Sequence, residues 1–588
     1  MKHFITLFCL FSVFTSFTDP IPQSSSQTIP PQYPTDYFQN PVGHALVLSG
    51  TFGELRANHF HSGIDIKPKT KGINEPIYAA AEGYISRIRI QEGGYGQSIC
   101  IAHPNGYTTL YAHLDKFSPE IQAYARQKQA EQQQFEIDIT PQPNEFPMRK
   151  GQQMAYMGNR GHSFGQHLHF EIRDTRTEYA INPLLFGFNV TDNIKPNLFG
   201  LKVYLLDEKQ EIVTTQYVNL IRKADGNYGI PGDTLAIAAP NVAFAVRATD
   251  ENSRESGENG IYSLELKCDE IPVYQFKVEK FSFDETRYIN AHLDYLEQQR
   301  RKIFYHRAFK LPGDNLSMYD IVQSNGVTPL SINDVLGKKM TLTAGDIHKN
   351  AVDLTFVVKY KEPLAVSEAK SYNYILQYDK ENIVKLDGDA AIFYFPINSF
   401  YENLYARFFT SNTENGQYSP TFHTHDTYTP IQSSFDIALK AVNLPENLRS
   451  KAFIAYCQRD DSRTYTCGGT WAADGTLRAK NRNFGNYSIQ IDVQKPTIIP
   501  VSFQADMRKL SRLAFKIRDN HEVMGSARPL RYRAELDGEW LMMELDGKYD
   551  LLFHNFSEGK ITEGVHKLRI SVTDDRENEA IFEGTFKK

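Results

Sequence analysis

GQHLHFEIR, residues 165–173, decides how the first part of this chain folds. His167, His169 and Glu171 alternate with Leu168, Phe170 and Ile172. That is the period of two expected of a strand with apolar side chains on one face and ionisable ones on the other. The same texture extends outward through IYAAAEGYISRI (77–88) and QSICIAHPNGYTTLYAHL (97–114), with Gly and Asn turns between the runs. Residues 41–190 therefore read as short strands. One piece differs: PEIQAYARQKQAEQQQFE, Pro119 to Glu136, is dense in helix formers with no internal Gly or Pro, and predicts a helix inserted between two strands. It would be either a solvated decoration or a wall beside the site.

A second stretch, HFHSGIDI (59–66), spaces His61 and Asp65 four apart. Gly63 and the β-branched Ile64 and Ile66 disfavour a helix, and in an extended segment i and i+4 share a face. Two imidazoles and a carboxylate brought together from two strands are the three-ligand open site of a catalytic zinc. His113, in YAHL, adds an imidazole from a third strand. A lone His-x-His on a strand is commonly incidental; the ordered combination is far more specific. Facing alone does not say which of His167 and His169 would be the ligand.

HFHSGIDI, EPIYAAAEGYI (75–85), GGYGQSICIAHPNGYTTLYAHL (93–114) and GNRGHSFGQHLHFEIR (158–173) together resemble the M23 peptidases, the lysostaphin-type zinc endopeptidases of peptidoglycan. The resemblance implies an antiparallel β-sheet with the site in a groove across it. It implies one Zn2+ held by His61, Asp65 and His169, with His113 and His167 as the catalytic imidazoles. It also implies a peptidoglycan substrate cut at its peptide cross-links. An M23 domain followed by a long β-rich tail is similar to proteins of Bacteroidetes-like bacteria. Where the family has a short link after YAHL, this chain has Asp115 to Met148. Glu171 is either a carboxylate supporting the metal ligands or a salt-bridge partner. Arg56 and Asn58 could touch substrate, or Asn58 could shield the metal. His59 and His103 match no ligand position and read as structural. A protein of this kind that had lost its ligands would instead be a silent activator of another wall hydrolase; all five expected residues are present.

The rest of the 588 residues bounds the setting. Hydrophobic content of 41% suffices for several cores, and a net charge of −6 argues against a nucleic-acid partner. Lys2 and His3 before an apolar run from Phe4 to Phe14 predict a signal peptide over 1–18, too short for a membrane span. No later segment looks membrane-spanning, so a periplasmic or cell-envelope location is expected. A Pro-, Ser- and Gln-rich stretch, 19–40, reads as a flexible leader. Beyond 190 the chain is β-rich. FAVRATDENS (244–253) matches FKIRDNHE (515–522), and AGDIHKNAVDLTFVV (344–358) matches VTDDRENEAIFEGTF (572–586), aligning Asp346 with Asp574 and Asn350 with Asn578. This predicts immunoglobulin-like sandwiches over 191–361 and 496–588, with a third β-rich sandwich over 362–495. The fold class expected is all-β. Binding or spacing, including contact with envelope proteins, are natural roles for such domains. Cys457 and Cys467 flank a polar stretch that allows a hairpin and a disulfide; Cys100 reads as a core thiol. HTHD (423–426) has a ligand-like look but stands alone.

Overall fold

The computed structural model describes residues 33–362, 371–458 and 463–588. The expected signal peptide, and the leader as far as residue 32, lie outside these. What remains of the leader is packed, not flexible. Phe38 is buried, and its ring lies edge-on to those of His103 and Phe186.

The peptidase-like region is built on an antiparallel sheet. Its strands are β1 (Leu48–Gly50), β2 (Ile64–Ile66), β3 (Gly83–Ile90), β4 (Gln97–Ala102), β5 (Tyr107–Ala112), β6 (Ile137–Ile139) and β7 (Leu168–Asp174), in the order β1-β2-β7-β5-β4-β3-β6. The alternation sorts the faces as expected. Leu168, Phe170 and Ile172 are fully buried beside Ile64, Ile66, Ile88, Ile99, Ile101 and Tyr111 in one core. Each such side chain contributes about 1.5–3 kcal/mol by leaving water.

The inserted helix α1 runs Pro119–Gln132, shorter than the Pro119–Glu136 expected. Gln133 ends it with a left-handed backbone, φ 49°, and Ile137–Ile139 pairs with Ile88–Ile90 as sheet instead. Ile121 and Ala125 face the sheet's core. An adjacent side of α1 meets the C-terminal domain: Arg126 bonds Glu544 at 2.9 Å and lies 3.3 Å from Glu558. Glu544 also takes Arg160 at 2.9 Å, so one buried carboxylate joins the helix to the 159–163 loop. The insertion is therefore a docking element, not a solvated decoration.

Three β-sandwiches follow, each with its own core. Strands Asn197–Leu206 and Asn241–Thr249 face Lys338–Gly345 and Ala351–Tyr360 in the first. In the third, Arg512–Arg518 lies in one sheet and Val565–Thr573 in the other. The first sandwich is fused to the peptidase-like region. Phe52, Leu55, Phe60 and Ala180 belong to its core, and Ala180–Ile181 pairs with Lys280–Phe281. Among the described residues no helix is long and apolar enough to cross a membrane.

The Cys457–Cys467 disulfide does not form: Cys467 is a buried free thiol. The hairpin exists, but its register sets Cys457 opposite Thr464. Cys467 lies three residues further along, roughly 10 Å of strand, beyond disulfide reach.

Phe60 packs among Phe276, Phe281 and His292 of the first sandwich, one residue before His61. Phe60→Ala is expected to lower stability by about 3–5 kcal/mol, read as an earlier unfolding transition in urea. An unchanged midpoint would mean the two units are not energetically joined there.

Candidate metal centre

Register assembles the site. β7 lies between β2 and β5, pairing His169 with Asp65 on one side and with Ala112, the neighbour of His113, on the other. His61 reaches the same place from a short link. The stretch 59–66 is not one continuous strand as expected. His59–Phe60 pairs back onto Leu55–Arg56, the chain bends at Gly63, and β2 begins at Ile64. Gly63 permits that bend: a Cβ there would sit 2.4 Å from the Phe170 carbonyl.

Ligand atoms of His61, Asp65 and His169 all lie within 4.8 Å of one another, and all three residues are buried. The other ring nitrogens identify which atoms converge. His61 Nδ1 is 2.8 Å from the Thr51 carbonyl, which can only accept, so Nδ1 carries the proton and Nε2 presents a lone pair. His169 Nε2 donates to Glu171 at 2.8 Å, leaving Nδ1 inward. His61 Nε2 and His169 Nδ1 are each 3.0 Å from Asp65 Oδ1. Two imidazole nitrogens and a carboxylate oxygen, their outward atoms held by fixed partners, fit zinc.

Glu171 is both things considered for it. It accepts from His169, from Ser62 at 2.7 Å and from Tyr95 at 2.6 Å, and it pairs with Arg173 at 2.7 Å. Burial pushes its carboxyl up, but Arg173 and His169 outweigh that and hold it well below the usual carboxylate range. Its charge in turn acts on His169. Burial opposes protonation of that ring, yet hydrogen bonds and charges from Asp65 and Glu171 raise it to about 9. Arg56 binds Asp65 Oδ2 at 2.8 Å and so anchors the carboxylate.

His113 and His167 stand beside this cluster, their rings 4.8 Å apart. His113 Nδ1 donates to the Arg160 carbonyl and His167 Nδ1 to the Gly165 carbonyl, both at 2.8 Å, so each keeps Nε2 as an acceptor. His167 Nε2 lies 3.5 Å from Asp65. His113 adopts φ 59°, a left-handed conformation costly for a residue with a Cβ. Burial, then the neighbouring His169 and His167, lowers its imidazole to about 3, so it is neutral at pH 7.

The remaining candidates are tied up elsewhere. Asn58 accepts from Asn290 of the first sandwich, and His59 bonds the Ala57 carbonyl. His103 bridges the Glu82 carbonyl and Thr109, while His423 bonds Ser411 and Asn486. Sequence reading missed Thr51, Ser62, Tyr95, Arg160 and Arg173. Only Arg173 left a signal, as the next residue on the face of His167, His169 and Glu171.

The peptidase family M23 model matches residues 59–132, which include His61, Asp65 and His113. A Zu5-like domain model matches 373–492, the second sandwich. A DD-carboxypeptidase/endopeptidase Mpg of Neisseria meningitidis is 34% identical over 119 residues, 20% of this chain and 21% of that protein. The chain thus matches about a fifth of the length of that curated relative. Among solved structures, a zinc-containing peptidase from Vibrio cholerae is similar at 25% identity over 24% of this chain and 35% of the other, TM-score 0.15. The catalytic domain of lysostaphin from Staphylococcus simulans is similar at 19% identity, 24% and 93% coverage, TM-score 0.19.

Zinc must displace the proton that His169 holds below about pH 9. Apparent zinc affinity is therefore expected to fall about tenfold per pH unit from pH 8 to pH 6, measured by competition with a chelating dye. A flat profile would mean that His169 is not a ligand. The Glu171→Gln variant should flatten it, because the charge that raises His169 is gone.

Proposed function

We propose, from the premise that this chain carries a peptidase family M23 domain, that it is a secreted zinc metalloendopeptidase hydrolysing peptide cross-links of bacterial peptidoglycan. The observation that carries this reading is the convergence of His61 Nε2, Asp65 Oδ1 and His169 Nδ1 beside two imidazoles anchored through Nδ1. The printed name of the Neisseria relative supports D,D-peptide bonds as the target class. The 1–18 segment supports export, and with it a periplasmic or cell-envelope location, where the sandwiches are available to bind envelope proteins.

His61, Asp65 and His169 would hold the zinc. Bound there, zinc supplies a Lewis acid that brings the pKa of water down to about 7 and polarises the scissile carbonyl. The chain's own residues do the rest. Arg56 and the Glu171–Arg173 pair keep Asp65 and His169 in place, so the donor set does not reorganise during turnover. His113 and His167, fixed through Nδ1, offer Nε2 as base and then acid. As water adds to the carbonyl carbon, one of them takes its proton. When the C–N bond breaks, the departing amine takes a proton from an imidazole. Being buried and neutral, His113 begins in the state a base requires.

Purified protein incubated with peptidoglycan sacculi is expected to release fragments cut at cross-links. His169→Ala should lose both zinc and activity, whereas His113→Ala and His167→Ala should retain zinc and lose about 10²–10⁴-fold in rate. If wild type left every cross-link intact while stimulating a partner amidase, the silent-activator reading would replace this one.

A further inference from the structure

The internal repeat sets the same acidic constellation at two domain junctions. In the first copy, Asp192 lies in the connection leaving the peptidase domain, Asp250 follows strand Asn241–Thr249, and Asp346 follows strand Lys338–Gly345. Asp492, Asp519 and Asp574 hold the corresponding places in the second, the latter two just after strands Arg512–Arg518 and Val565–Thr573. The supporting bonds also match. Asn350 donates its backbone N–H to Asp346 Oδ1 at 2.8 Å and its Nδ2 to Oδ2 at 2.7 Å; Asn578 does the same to Asp574 at 2.8 and 2.8 Å. Both side-chain amides reach back to the junction, to the carbonyl of Asp192 at 3.4 Å and of Asp492 at 3.1 Å. The N–H two residues on holds the junction carboxylate at 2.9 Å in each.

Structural bonding accounts for that scaffold but not for the enclosed charges. In the second copy ligand atoms of Asp492, Asp519 and Asp574 lie within 4.8 Å of one another and Asp519 Oδ1 has no hydrogen-bond partner. The first copy is the more deeply buried. Asp192, Asp250 and Asp346 are 7%, 2% and 6% exposed. Ligand atoms of Asp192, Asp346 and His348 lie within 4.8 Å of one another. Among the described residues no Lys or Arg pairs with any of the three aspartates; the basic group recorded near them is the exposed His348, 3.6 Å from Asp192. Asp250 lines one cavity with Asp346 and Asn252, and its Oδ1 has no hydrogen-bond partner. Asn259 is equally buried at 3%; its Nδ2 donates to Asn252, and its Oδ1 is likewise unpartnered. A buried carboxylate without a counter-charge costs several kcal/mol, and a cation resolves all of these features together.

We propose that Asp192, Asp250 and Asp346 hold a calcium ion that fixes the peptidase domain to the first sandwich. The donors decide the metal. Carboxylate and amide oxygens suit a hard cation, and Ca2+ accepts six to eight of them in flexible geometry at about 2.3–2.6 Å, whereas Mg2+ demands a near-ideal octahedron. The nitrogen of His348 is not part of the repeated set, because Arg576 stands in its place in the second copy and turns to Asp575. The same cavity is lined by Thr51 and Asn182 of the peptidase domain. Thr51 Oγ1 binds Gly260 of the sandwich, and its carbonyl orients His61, so the ion would sit one residue's length from the metal centre's own support. The inference stands whether or not the enzyme cuts peptidoglycan.

The test uses the full chain, stripped of divalent ions on a chelating resin and reloaded with Zn2+ alone, then titrated with Ca2+ or Mg2+ and followed by thermal unfolding and far-UV circular dichroism. Ca2+ is expected to raise the first transition by about 5 °C or more, and Mg2+ at equal concentration by much less. Asp250→Asn should melt no lower than wild type before Ca2+ is added, since it replaces a carboxyl buried beside Asp192 and Asp346, and should lose the Ca2+-dependent rise. Asp346→Asn should lose the rise too, while Asp574→Asn keeps it. Tb3+ should give Tyr-sensitised luminescence, through Tyr262 in the cavity wall, in wild type but not in Asp250→Asn. The proposal is overturned if Ca2+ leaves the wild-type melt unmoved, if Asp250→Asn and Asp346→Asn respond as fully as wild type, or if only Asp574→Asn loses the response.

Discussion

Everything at the metal centre depends on the register of one strand. β7 pairs His169 with Asp65 across β2 and with Ala112 across β5, so a carboxylate, a ligand imidazole and the strand end carrying His113 lie in one row. A slip of one residue would turn His167, His169, Glu171 and Arg173 into the core and Leu168, Phe170 and Ile172 out of it. The core therefore holds the chemistry in place. Phe170, buried opposite Ile64 and Tyr111, fixes the same register that His169 needs. Gly63 belongs to this constraint, because only a residue without a side chain lets the His61 link pass over the Phe170 carbonyl.

Much of this was legible because period-two alternation is a strong local signal. It placed His167, His169 and Glu171 on one face, and family resemblance chose His169 as ligand. The distances separate the two: His169 Nδ1 lies 3.0 Å from both Asp65 Oδ1 and His61 Nε2, whereas His167 Nε2 stands 3.5 Å from Asp65, outside the trio whose ligand atoms lie within 4.8 Å of one another. What stayed hidden was of another kind. Thr51 and Arg160 act through backbone carbonyls, and a carbonyl belongs to every residue, so no side-chain pattern marks it. Tyr95 and Ser62 act through contacts that exist only once β7 has been placed. The cysteine spacing pointed to a bridge because it counted residues in a loop; the hairpin's register decided otherwise.

Domain texture misleads at the same level. The boundary near residue 190 follows a change of composition, yet Phe52, Leu55 and Phe60 bury themselves in the core beyond it. Their hydrophobicity reads alike whichever core receives them. The hairpin that precedes His61 is thus held from the neighbouring sandwich, and the candidate metal site is a product of two domains. Asp346 and Asp574 were visible as matched letters, but their meaning needed distance and burial: the two copies share a scaffold of amide bonds around carboxylates that, among the described residues, no Lys or Arg pairs.

Glu544 has a consequence for the order in which this protein becomes itself. It lies in the third sandwich, yet it clasps Arg126 and Arg160, and the Arg160 carbonyl orients His113. A polypeptide emerging N-terminus first completes its candidate metal ligands by residue 169, long before residue 544 exists. Until the third sandwich folds and returns to the 159–163 loop, that loop lacks the anchor Glu544 provides. A domain made later thus steadies a histidine of one made earlier.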